Sequence, residues 1–312
     1  AVNSPLNLMW LALVGAVVLC AVLRKAVAGG AARAPPSGAL TYVASQLTMG
    51  AQMLFWAILS EFSRLVARWL FLPASLCYYD VAAHPGVKGL VALTIDDAFC
   101  RGGEAESFIR QVQAALKAKQ AKASFFCTLN FCREAWRERE VAALLKDGHE
   151  LCNHCVDDKP YDAASEVEFE QAFDATDAWI RKLNGGAACR WFRAPNGSLS
   201  AAMLQVLRRK GATSVLTDCY ACDCHIPYPR FVAWAMCRRV THGSILILHM
   251  PEKGFREWGL ETLVLVLDGL QARGLRSVTL SELAAAAEPQ SSVAPVAPVV
   301  RKRRLSKSPA KR

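Results

Sequence analysis

The chain has 312 residues, enough for one domain of roughly 200 to 250 residues with extensions. It is 53% hydrophobic with a mean hydropathy of +0.18, and the excess sits in the first 80 residues. Seven of its ten net positive charges lie in the last twelve residues, RKRRLSKSPAKR. The body therefore lacks the basic face that nucleic acid requires, and no nucleic-acid partner is expected.

Leu8–Leu23 (LMWLALVGAVVLCAVL) is an apolar run followed by Arg24 and Lys25. It is slightly short of the roughly 20 residues of a full span and reads as a membrane anchor or a signal segment. A retained anchor with that basic flank would keep the following chain cytosolic. With the linker ARAPPSG (Ala32–Gly38) it makes up segment 1–40. Segment 41–84 holds a second apolar stretch, Leu47–Leu72, interrupted by Glu61, Arg64 and Arg68. It is expected to be helical and to span the membrane or lie at its interface.

From Lys88 the pattern changes. Short apolar strands are predicted at Leu90–Ile95, Ala123–Thr128, Glu150–Asn153, Trp191–Arg193, Ser214–Thr217, Ile245–Leu248 and Ser277–Leu280. Helices are predicted between them at Glu104–Leu116, Glu134–Lys146, Glu166–Leu183, Ala201–Arg209, Phe231–Arg239 and Leu260–Ala272. Glycines 148, 211 and 274 follow three of the helices as stop signals. Strands alternating with helices imply a parallel sheet. Seven such units predict an α/β domain over 85–288, a distorted (β/α) barrel of about seven strands. Segment 289–312, rich in Pro, Ala, Val and Ser before it turns basic, reads as a disordered tail.

Twelve cysteines are scattered along the chain. Cys152 and Cys155 are close in sequence, as are Cys219, Cys222 and Cys224. Cys-x-x-Cys pairs hold zinc or exchange disulfides, but no second pair stands at zinc-finger spacing, so no structural cysteine–zinc site is expected. The redox compartment stays open.

In a parallel barrel the reacting groups collect where the strands end. The first strand ends at Asp96-Asp97 and the third at His154, with Asp158 four residues on. The fourth ends at Arg193-Ala-Pro195-Asn196-Gly197, the fifth leads to Asp218 and Asp223, and the sixth ends at His249. Asp97, His154 and Asp158 offer carboxylate and imidazole ligands suited to zinc, manganese, cobalt or nickel. Asp96 would be a general base held by Arg193. His249 would protonate a leaving group, oriented by Asp223. Singly, each also has a plainer reading as a core histidine, a loop aspartate or a surface arginine.

Together these residues resemble the NodB-homology polysaccharide deacetylases, carbohydrate esterases that remove N- or O-acetyl groups from sugars. Thr94-Ile-Asp-Asp97, Gly148–His154, Arg193-x-Pro195-x-Gly197, Asp218–Asp223 and Leu246-Ile-Leu-His249 match the family's five motifs in order. The resemblance covers about Lys88 to Ala287. It implies a distorted barrel and hydrolysis of an acetyl group on a glycan, as in chitin deacetylases. It implies a divalent metal, zinc foremost, with manganese or cobalt as alternatives. Carried over, Asp96 is the base, Asp97 and His154 are metal ligands, Arg193 tethers Asp96, and His249 is the acid. The backbone N–H near Asn196 helps hold the oxyanion, and Leu248 lines the acetyl pocket. Asp158 stands where the family usually has a second histidine, Ala98-Phe99 where Gly-Pro is common, and Met250 where Asp is common. A subgroup with that Asp also carries Asp-x-His-Ile, as in Asp223–Ile226. These expectations give a membrane-associated hydrolase of the secretory pathway acting on an acetylated glycan. The alternative is a weak or inactive barrel that binds glycan at a membrane.

Overall fold

The computed structural model describes residues 38–71 and 74–288. The expected anchor run and basic tail lie outside the described residues. Two helices come first, α1 (Gly38–Glu61) and α2 (Ser63–Leu70). An alternating unit follows: β1 (Leu90–Ala98), α3 (Ile109–Ala118), β2 (Ser124–Cys127), α4 (Ala135–Lys146), β3 (Glu150–Asn153) and α5 (Glu166–Leu183). It continues through β4 (Trp191–Phe192), α6 (Ala201–Lys210), β5 (Thr213–Ser214), α7 (Pro229–Arg239), β6 (Ile245–His249), α8 (Trp258–Ala272), β7 (Arg276–Val278) and α9 (Leu280–Ala287).

Every strand pairing is parallel, in the order β5-β4-β3-β2-β1-β6, with β7 against the start of β1. Strand β1 is central, and all of it beyond Leu90 is buried. This is why its sequence reads as a continuous apolar run: a parallel strand is covered on both faces. The sheet curls until Cys219, beyond β5, bridges Leu246 of β6. That seam is not a continuous ladder. Side chains stand in for backbone partners: Thr217 Oγ1 donates to the Ile245 carbonyl (2.5 Å), and Asp218 Oδ1 accepts from Ile245 N–H (3.0 Å). The expected barrel is thus a curled parallel sheet of seven strands with a side-chain-bridged seam.

Local signals explain the boundaries. Ser165 and Ser200 cap α5 and α6 by accepting from the backbone N–H three residues on. Gly211, at φ +66°, ends α6 in the left-handed region. Several boundaries differ from those predicted, three of them notably. Strand β1 continues through both aspartates. The predicted helix over Glu104–Leu116 is a short turn and then α3 from Ile109. Helix α9 starts at Leu280, where strand was predicted. Its signal was in the sequence: Thr279 and Glu282 form a capping box.

Helix α1 does not behave as a second membrane span. No described helix is long and apolar enough to cross a membrane. Instead Met49, Met53 and Trp56, one helical face, pack against the domain core. Arg238 of α7 pairs with Glu61 (2.9 Å), and Arg64 of α2 pairs with the buried Asp218 (2.8 Å). Leu47, Leu54 and Trp69 remain exposed on the outer side.

The segment after α2 is fastened to the sheet at Gly243, whose carbonyl accepts from Tyr79 N–H. Gly243 has φ +75°, and an added Cβ would lie 2.0 Å from the Tyr79 carbonyl oxygen. Gly185 has φ +62° with open space around it. In urea titration Gly243→Ala is expected to lose at least about 3 kcal/mol, and Gly185→Ala only about 1 kcal/mol. Equal losses would show that this close approach does not fasten the segment.

Candidate active site

Adjacent residues of a regular strand point to opposite faces, yet Asp96 and Asp97 line one cavity. The reason is local. Against β2 the register of β1 slips between Ile95 and Ala98, and Asp97 sits at φ 54°. An extra residue in a strand re-aims its side chains, so both carboxylates reach the cavity at the carboxyl ends of the strands. The cavity has a volume of about 750 Å³. Trp56 and Leu59 of α1 and Val66 of α2 form one wall.

Asp96 is buried and ion-paired through Oδ1 with the buried Arg193. The guanidinium also donates to Thr94 Oγ1 (2.8 Å) and to the carbonyls of Val215 (3.1 Å) and Leu216 (3.2 Å). It stacks on Phe126 at 4.0 Å. Thr94 in turn donates to the Leu246 carbonyl (2.6 Å). Arg193 is fixed from all sides and presents one charge to one carboxylate.

The Arg193 main chain holds a second group. Its carbonyl accepts from His154 Nδ1–H at 2.8 Å, which leaves Nε2 facing Asp97 Oδ1 at 3.6 Å. Burial opposes ionisation of Asp97, but contact with His154, the nearby His249 and the Arg256 guanidinium hold its carboxyl well below the usual carboxylate range. Burial likewise opposes charge on His154, and contact with Asp97 outweighs it, raising that imidazole above its ordinary value.

Asp97 and His154 fit a divalent cation as a pair: one imidazole nitrogen with its tautomer set by a carbonyl, facing one carboxylate oxygen. Asp158 sits differently. Its carboxylate is ion-paired with Arg101 (3.0 Å), and Arg101 also reaches Asp97 Oδ2 (3.0 Å) and Glu252 Oε1 (3.0 Å). Arg256 Nη1 takes the same Asp97 oxygen at 2.6 Å. Among the described residues, only Cys222, Cys224 and His225 bring three potential ligand atoms within 4.8 Å of one another.

Asp96 of β1 and His249 of β6 are register partners on neighbouring strands. His249 Nδ1 meets Asp223 Oδ1 at 2.8 Å, and His249 N–H donates to Asp223 Oδ2 at 2.7 Å. Burial works against the imidazolium, but Asp223, with help from Asp97, pushes the His249 pKa up to about 10. The ring is thereby held as a proton donor.

Asn196 and Gly197 line the cavity in a turn opened by Pro195. Asn196 has φ 59°, and Gly197 N–H donates to the Ala194 carbonyl (2.9 Å). Leu248 is packed into the core, while Ile247 lines the cavity. Strand alternation accounts for this, since Ile247 shares the face of His249. The sequence reading missed Ile247, Arg101, Arg256 and Glu252. Parity along β6 could have found Ile247; the other three converge only when the loops after β1 and β6 fold together.

A family profile described as polysaccharide deacetylase matches residues 83–215. Over this segment, which is less than half of the chain, the sequence is similar to the polysaccharide deacetylases. The match takes in the motifs from Asp96 to Gly197 and ends before Asp223 and His249. The chain is 27% identical over 194 residues to a chitooligosaccharide deacetylase of Azorhizobium caulinodans, covering 59% of this chain and 89% of that protein. It is 23% identical over 196 residues to the uncharacterized protein YlxY of Bacillus subtilis, covering 63% of this chain and 57% of that protein. The chain thus spans little more than half of this second relative. Among solved structures, a family 4 acetyl xylan esterase from Clostridium thermocellum, in complex with cobalt, is similar with a TM-score of 0.56. Identity is 25%, and coverage is 63% of this chain and 90% of that one.

Removing one partner of a buried pair strands the other charge. Arg193→Met, which keeps much of the volume, is expected to lose about 3–5 kcal/mol of stability in denaturant titration. The paired change Arg193→Met with Asp96→Leu should recover part of that loss. No recovery would mean that Arg193 is held by its carbonyl partners rather than by Asp96.

Proposed function

We propose that this chain is a polysaccharide deacetylase, a metal-dependent hydrolase that removes acetyl groups, N-linked foremost, from an amino-sugar glycan. The observation that carries the reading is the register pair Asp96–His249. A carboxylate and an imidazole stand side by side over one cavity, each with its own opposite charge, Arg193 or Asp223. Asp223 holds the imidazole protonated, and Arg193 fixes the position of the carboxylate beside it. This is the division of labour that acetyl transfer to water requires.

Asp97 and His154 would hold the divalent cation, with Asp158 joining them once Arg101 releases it. When bound, that cation, zinc foremost, would lower the pKa of a water and polarise the acetyl carbonyl. Asp96 takes the proton from the attacking water while Arg193 keeps its carboxylate aimed. His249 gives a proton to the leaving nitrogen, and Asp223 stabilises its charge until it does so. The N–H near Asn196 supports the oxyanion, and Ile247 borders the acetyl methyl. The substrate class is supported by the resemblance to the chitooligosaccharide deacetylase of Azorhizobium. A place on a membrane of the secretory pathway is supported by the apolar run 8–23 and by the exposed Leu47, Leu54 and Trp69 of α1 and α2.

A second reading, an inactive barrel that binds glycan, is favoured by one observation. Arg101 and Arg256 both occupy Asp97 Oδ2, so two positive charges already sit on the carboxylate that would hold a cation through Oδ1.

Two measurements separate these readings. Acetate release from N-acetylated chito-oligosaccharides by the full chain with added zinc, manganese or cobalt should fall about 10²–10⁴-fold in Asp96→Asn, with metal affinity unchanged. No release with any of these ions supports the inactive reading, and full release from Asp96→Asn removes that residue as the base. In calorimetry Arg101→Gln should bind the ion about tenfold more tightly, because Asp158 is freed. Unchanged affinity would place Asp158 outside the ligand set.

A further inference from the structure

The Asp97 region holds no sulfur ligand, but another corner of the cavity does. Cys222, Cys224 and His225 place two thiol sulfurs and an imidazole nitrogen within 4.8 Å of one another. Cys222 Sγ lies 3.7 Å and Cys224 Sγ 2.9 Å from His225 Nδ1. All three atoms are near enough to one another to share one small ion.

The chain is folded to produce this grouping. Cys222 sits at φ 57°, and its carbonyl accepts from both His225 and Ile226 N–H at 3.0 Å. The tight turn is anchored by the buried Ile226. It throws Cys222 and Cys224 to one side and the intervening Asp223 to the other, onto His249. Tyr220 Oη stands 3.0 Å from Cys224 Sγ, and Trp56 of α1 packs edge-on against Tyr220. The two cysteines are half-buried and His225 is exposed, and all three line the main cavity. Neither Cys-x-x-Cys pair of the sequence forms this group. Cys219 is turned into the core toward the Met236 carbonyl, and Cys152 and Cys155 are buried in separate clusters.

We propose that Cys222, Cys224 and His225 form a second metal site, selective for a thiophilic cation such as Zn²⁺. Two thiolates and one imidazole are the donor set that soft and borderline ions prefer, and that hard oxygen-seeking ions do not. Three protein ligands leave a fourth position, and here it opens onto the cavity. The site is chemically distinct from the Asp97–His154 pair, and its existence does not depend on the proposed deacetylase activity. Occupancy would pin the turn that carries Asp223, and so the orientation of His249.

The test uses the full chain with reduced thiols and the Asp97→Asn change, which weakens the other candidate site. Co²⁺ is added and thiolate-to-cobalt charge-transfer absorption is followed in the near ultraviolet. About one equivalent should develop the band and Zn²⁺ should abolish it, since both ions take thiolate–imidazole sites. Cys222→Ser and Cys224→Ser should each weaken binding at least about 100-fold, and His225→Gln, at an exposed position, by at least about tenfold. No band in the reduced protein overturns the proposal. So does a band that survives the double serine change, because other cysteines would then be the ligands. A Cys222–Cys224 disulfide in the protein as isolated also overturns it.

Discussion

Arg193 is the residue on which the site depends. Its guanidinium meets Asp96 and Thr94 of β1 and the carbonyls beyond β5, and its own carbonyl fixes His154 at the end of β3. One side chain and its peptide unit therefore connect three strand ends. A guanidinium suits this because its donors are planar, fixed in direction and permanently charged. A lysine could supply the charge but not four bonds in these fixed directions. Burial makes the arrangement exacting: unpaired, either charge would be strongly destabilising.

Around that anchor the site splits into parts with different electrostatics. Asp96 has a single dedicated cation. His249 has a single dedicated anion, Asp223, which holds its proton to about pH 10. Asp97 stands between them and is crowded by charge, with His154 on one oxygen and two guanidiniums on the other. In the proposed mechanism Asp96 and His249 would carry the proton chemistry, and a cation at Asp97 would compete with the two arginines. Arg101, held between Phe131 and Phe255 at 4.4 and 4.7 Å, is well placed to exchange Asp158 between these arrangements.

Much of this was legible in the sequence, for identifiable reasons. Apolar runs with glycine or serine punctuation located β1 to β4, β6 and most helices, because parallel strands and capped helices leave local marks. Asp96, His154, Arg193 and His249 could be singled out because each stands at the carboxyl end of such an apolar run. What could not be read depended on contacts distant in sequence. The irregularity that turns Asp97 beside Asp96 has no local mark. The β5–β6 seam depends on Thr217 and Asp218 replacing a ladder. Arg101, Arg256 and Glu252 converge from two loops about 150 residues apart. The apolar residues of α1 suggested membrane because hydrophobicity does not reveal the surface that will cover it; part of that surface is the domain itself.

The central claim is that His249, charged by Asp223, is the acid that completes the reaction begun at Asp96. The most direct test is the pH dependence of kcat/KM for acetate release, comparing the native chain with Asp223→Asn. An acid works only while protonated, so native activity should persist up to about pH 10 and fall above it. Without the Asp223 charge, the alkaline fall should move down toward about pH 6.5, the ordinary imidazole range. An alkaline limb that stays in place when Asp223 is neutralised would contradict the account.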